Sequence, residues 1–84
     1  MVSLRGISSE HVRMAAAEID RVGVPIKQRP IAWYVVVDGK YYPPKYIVCL
    51  AHKYAHGFEL DSDDTRTGKA QDHLISLGFG IVQK

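Results

Sequence analysis

Eighty-four residues with 46% hydrophobic content make one domain with one core, and leave little room for a deep pocket ringed by a full catalytic shell. The single cysteine, Cys49, excludes an internal disulfide framework, and Met1-Val2-Ser3-Leu4-Arg5 lacks the apolar run of a secretory signal. The longest apolar stretch, residues 47–51, falls well short of the roughly 18 residues of a membrane span. These features predict a cytoplasmic domain that recognises a partner rather than catalysing a reaction, needs no cofactor and does not use the membrane. The net charge is only +2, but it is unevenly placed. Residues 27–53 carry Lys27, Arg29, Lys40, Lys45 and Lys53 against Asp38 alone, whereas between Glu59 and Asp72 the excess is acidic.

Ser8 or Ser9 is placed to cap a helix in which Val12, Ala15, Ala16, Ile19 and Val22 recur at three- and four-residue spacing, with Gly23 ending it and Pro25 blocking its continuation. Residues 23–30 read as a connection. Trp33-Tyr34-Val35-Val36-Val37 is aromatic and β-branched, Asp38-Gly39 suits the positive φ angles of a tight turn, and Lys40-Tyr41-Tyr42 returns as the second strand of a hairpin. Pro43-Pro44 ends that strand and opens a second helix, since proline in a first helical turn loses no intrahelical bond. In this helix Ile47, Leu50, Ala51 and Tyr54 form the predicted inner stripe, and Lys45, Cys49, His52, Lys53 and His56 the predicted outer one. Gly57 caps its end, and residues 58–65 form an acidic loop anchored by Phe58 and Leu60. Thr65 or Thr67 caps a third helix with Ala70, Leu74 and Leu77 on its inner face, Gly78 stops it, and Phe79-Gly80-Ile81-Val82 is a last short strand.

The predicted fold is therefore α+β, in the order α-β-β-α-α-β, with a small three-stranded antiparallel sheet made from the hairpin and the C-terminal strand and packed with three helices. Residues 1–84 read as a single domain, and the final strand at the chain's end suggests one excised from a longer protein.

Three clusters carry candidate chemistry. Cys49, His52 and His56 share a helical face, as soft metal ligands would. Yet structural zinc takes four ligands at paired spacing, and flanking Lys45 and Lys53 oppose a cation, so solvated histidines are the preferred reading. Asp61, Asp63 and Asp64 lack the glycine and terminal glutamate of a calcium loop, and a helix-embedded Cys49 is more often packed than nucleophilic. The third cluster interleaves cations and aromatics: Lys27, Arg29, Trp33, Tyr41, Tyr42, Lys45, His52 and Lys53. Cations neutralise phosphates and exposed aromatics stack on bases. Strand alternation sends one of Tyr41 and Tyr42 to the core and leaves the other exposed, with Trp33 also a candidate for the core.

The run Asp38-Gly39-Lys40-Tyr41-Tyr42-Pro43-Pro44-Lys45-Tyr46-Ile47-Val48-Cys49-Leu50-Ala51 resembles the D-G-K-x-Y-P-P-K segment of the N-terminal head module of modification-dependent, Mcr-type restriction endonucleases, some of which end in an HNH nuclease domain. Gly6-Ile7, Ala17-Glu18-Ile19-Asp20 and Leu74-Ile75-Ser76-Leu77-Gly78-Phe79 extend the likeness over most of the chain. It departs at Thr67-Gly68 and Gln71, where a Gly-Gly pair and an asparagine are expected. The resemblance implies a DNA-reading or DNA-positioning accessory domain whose partners are DNA and a nuclease domain or subunit. Tyr42 and Lys45 match its motif directly, and Arg29 lies near a basic position before the hairpin.

Two functional readings follow. In the first, Lys45, Lys53 and Arg29 contact phosphates, while Trp33, Tyr41 or His52 approaches a base or groove, including one that carries a modification. In the second, the domain assembles a nuclease or ATPase complex through exposed Tyr46, Met14 and the acidic loop.

Overall fold

Local chemistry starts each element in the computed structural model, which describes residues 4–25, 32–61 and 64–83. Helix α1 (Ser9–Val22) begins at Ser8, whose Oγ accepts from the His11 N–H while the Ser8 N–H donates to His11 Nδ1 at 3.0 Å. Histidine thus takes the place that glutamate or glutamine usually holds in a capping box. Strands β1 (Trp33–Val37) and β2 (Lys40–Tyr42) are joined by Asp38 and Gly39, with φ of 51° and 83°, the paired positive angles that a two-residue hairpin turn requires. Helix α2 (Pro44–His56) follows with proline at its first position and Gly57 in the left-handed conformation at its end. Helix α3 (Thr67–Ser76) and strand β3 (Gly80–Gln83) complete the predicted order.

The sheet is antiparallel in the order β2-β1-β3, with Val35 opposite Tyr42 on one side and Ile81 on the other. Helix α2 is the centre of the molecule: α1 packs along it, α3 along another side, and β1 beneath it. Val12, Ala15, Ala16 and Ile19 of α1, Ile47, Leu50 and Ala51 of α2, Ala70 and Leu74 of α3, and Val35, Val37 and Tyr42 of the sheet form one core.

This central position corrects the amphipathic reading of α2. Tyr46, Val48, Cys49 and His52 are buried along with Ile47, Leu50 and Ala51 of the predicted inner stripe, because a helix enclosed by two helices, a sheet and a returning loop has no wide solvent face. Tyr54 of that stripe is only partly buried. Loop residue Leu60 anchors inward as expected, its N–H reaching the Cys49 carbonyl at 3.3 Å, but Phe58 is 58% exposed and lays its ring edge-on to His52. Arg66, not a threonine, stands at the N-cap position of helix α3 and makes no side-chain capping bond, and Thr65 is buried.

Histidines fasten the chain ends of the helices. His56 Nε2 donates to the Arg5 carbonyl at 2.8 Å and His73 Nε2 to the Ile7 carbonyl at 2.9 Å, pinning the segment before α1. Between them Gly6 has φ +91°, and a Cβ there would stand 2.9 Å from His56 Cε1. Gly6→Ala therefore combines left-handed strain, about 1–2 kcal/mol, with displacement of the imidazole. A thermal melt is expected to show a lower midpoint for this variant, with the loss reduced when His56 is also shortened to Ala.

Candidate nucleic-acid interface

Strand alternation divides the sheet into two chemically different faces. Val35, Val37, Tyr42 and Ile81 face the helices. Tyr34, Val36, Tyr41 and Val82 lie on the other face and take no part in the core; Val36 is opposite Tyr41 and Gly80, and Tyr34 opposite Val82. Tyr34 and Tyr41 meet as a diagonal pair, ring centroids 6.2 Å apart and planes at 69°, the edge-to-face geometry that aromatic quadrupoles favour. Tyr41 is half exposed. Tyr34, Val36 and Val82 were not singled out as functional by sequence reasoning. The available signal was that β1 contains no polar residue, so both of its faces are apolar although the helices cover only one.

Trp33 lies at the end of β1, opposite Gln83, and is 43% exposed. Alternation puts it on the helix-facing side with Val35 and Val37, yet it takes no part in the core. The chain leaves β2 at Tyr42, opposite Val35, so Pro43-Pro44-Lys45 passes the same end of the sheet. Lys45 is half-buried in the first turn of α2 and forms no ion pair among the described residues. Lys27 and Arg29 lie outside the described residues.

Three expected surface residues have other roles. Tyr42 is 4% exposed, and its hydroxyl donates to Asp20 of α1 at 2.8 Å; burial and then the Asp20 carboxylate push its pKa up to about 12. Asp20 also accepts from Lys40 at 3.3 Å, and the two bonds, Tyr42's foremost, hold its carboxyl below the usual aspartate range. His52 is buried rather than on an outer face: its Nδ1 donates to the Phe58 carbonyl at 2.8 Å and its ring lies tilted against that of His56, centroids 4.6 Å apart. Lys53 is partly exposed, but its ammonium meets Glu18 Oε1 at 2.5 Å, and the Tyr54 hydroxyl donates to the same oxygen at 2.5 Å. These bonds, Lys53's first, lower the Glu18 pKa and tie α2 to α1.

The Cys49, His52 and His56 trio does not converge. The thiol points to the Asp61 carbonyl at 3.8 Å, burial pushes its pKa up to about 11, and the two imidazoles are committed to carbonyls in different segments. Among the described residues no group of three histidine, cysteine or acidic side chains is placed to hold a metal, and no helix is long and apolar enough to cross a membrane. Tyr46, one anchor of the assembly reading, is buried, whereas Met14 is 42% exposed.

These features define a small α+β domain whose candidate site is an aromatic sheet face with a lysine at one end. The chain belongs to the family of ScoMcrA-like N-terminal head domains, which it matches over residues 5–83. It is thus an N-terminal domain of the Mcr-type restriction enzymes, as the segment around Tyr42-Pro43-Pro44-Lys45 implied, and the family is described as a head domain, not a catalytic one. Among curated proteins and solved structures, none matches the chain significantly.

Proposed function

We propose that this head domain binds DNA and positions it for the nuclease of a restriction enzyme. Lys45 neutralises a phosphate, Trp33 and Tyr41 present aromatic surface, and Lys27 and Arg29 add positive charge. The observation that carries this reading is the aromatic sheet face with its half-exposed Tyr41, at one end of which stands Lys45, a lysine with no ion pair among the described residues, on a chain of a restriction-enzyme head family. Phosphate contacts hold the protein in register and base contacts confer preference, so recognition of a modified base falls to the aromatics rather than to Lys45. Lys53 contributes less than its sequence position suggests, because a phosphate has to compete with Glu18 for it. The assembly reading loses support from the burial of Tyr46.

The test is fluorescence anisotropy with otherwise identical duplexes, unmodified, cytosine-modified, adenine-modified and phosphorothioated, across a salt series. Binding is expected to weaken as salt rises, and Lys45→Ala to lower the slope of log K against log salt by about 0.9, the share of one phosphate contact. A slope unchanged by Lys45→Ala removes that contact; absence of binding to every duplex at low salt removes the DNA reading.

A further inference from the structure

We infer that the outer sheet face built by Tyr34, Tyr41, Gly80 and Val82 is a stacking site for an unpaired nucleobase, so that the domain engages DNA in which a base is out of the helical stack. This rests on the DNA reading above and specifies what the aromatic surface takes.

The chemistry of the face selects the ligand. Tyr34, Val36, Tyr41, Gly80 and Val82 carry no charge and no amide, so this face neither neutralises phosphates nor makes the bidentate contacts that read paired bases in a groove. It offers aromatic and aliphatic surface, which is what a base outside its stack lacks. Its size favours a small ligand over the obvious apolar alternative, a protein partner. Among the described residues five positions make the face, whereas a stable protein interface takes roughly 20–30 residues a side. Neighbouring strands are spaced roughly 4.8 Å apart, giving a platform about 10 Å wide, the scale of one or two bases. Gly80 adds a bare patch of backbone opposite Val36, and a Cβ built on it meets nothing within 4 Å. A flat ring therefore reaches the backbone at Gly80 between Val36 and Val82, while Tyr34, held edge-on by Tyr41, bounds the site. Trp33 shares the helix-facing side with Val35 and takes no part in this face, so Lys45, in the helix that follows β2 at the adjoining end of the sheet, is left to meet the flanking phosphate.

The experiment measures anisotropy of a single strand, the matching duplex, and that duplex with one bulged base, against the full chain and its Tyr34→Ala, Gly80→Val and Lys45→Ala variants. Tyr34→Ala and Gly80→Val are expected to weaken the single strand and the bulged duplex about 5- to 150-fold, the range for one stacked base, and to leave the perfect duplex unchanged. Gly80→Val fills open space on a strand and keeps the fold, which a thermal melt verifies, so a loss of binding there reports on the site alone. If both variants leave all three ligands unchanged, or weaken the perfect duplex as much as the others, the stacking site is overturned. If Lys45→Ala still weakens every form in that case, the DNA reading stands without it; if no form binds the unaltered chain at low salt, both fall.

Discussion

Tyr42→Ala is expected to destabilise the domain by about 3–5 kcal/mol, the range for removing a large aromatic side chain from a core. Tyr42 is 4% exposed, shares the core with Val35 and Ile47, and bridges the hairpin to α1 through Asp20. Tyr42→Phe keeps the packing and loses only the hydroxyl, so its loss is expected to be smaller. The pair separates two meanings of the Tyr-Pro-Pro-Lys motif. If Tyr42 is structural, the folded fraction of Tyr42→Phe binds DNA as the parent does, whereas a contact role requires its affinity to fall at unchanged fold. Alkaline titration gives a second readout. Because the folded-state pKa is raised from 10.0 to about 12, the stabilisation is complete below about pH 10 and is lost as pH rises through 12. Urea midpoints measured over that window are expected to decline more steeply for the parent than for Tyr42→Phe. At the acid end the sign reverses: the lowered carboxyls of Glu18 and Asp20 stabilise above the usual carboxylate range, and that contribution disappears as pH falls through their depressed values.

Leu50→Ala is expected to have a comparable effect, about 2–5 kcal/mol, for a different reason. Leu50 is fully buried at the centre of α2, where α1, α3 and the sheet converge, so no single neighbour is free to close the cavity. An 84-residue domain holds roughly 4–13 kcal/mol in total at ~0.05–0.15 kcal/mol per residue. The substitution therefore removes a large share, and a fall in melting temperature on the order of 10–30 °C follows. Leu50→Met, nearly equal in volume, is expected to recover most of it. A melting temperature for Leu50→Ala within a few degrees of the parent means that the helices relax into the space and that α2 is not a rigid centre.

Much of the molecule was legible along the chain because its signals are local. The Ser8 cap, the Asp38-Gly39 turn, Pro44 at the first position of α2 and the glycine at its end each act within a few residues. Backbone φ preference and first-turn hydrogen bonding decide them wherever the segment sits. The α+β order and the antiparallel return of the last strand followed from these boundaries, and the family followed from one run of motif residues.

What helix periodicity could not decide was how many sides of α2 are covered. A hundred-degree wheel assumes one buried face, and the packing of α1, α3 and the loop around α2 turned Cys49, His52 and Tyr46 inward. Partner choice was equally out of reach: Lys53 reads as a free cation until Glu18, 35 positions away, is brought to it by the packing of α1 on α2. The outer sheet face is the converse case. Tyr34 and Val82 are ordinary strand residues in the sequence, and they become a candidate site only because three helices gather on the opposite side of the sheet and leave that face without a cover among the described residues.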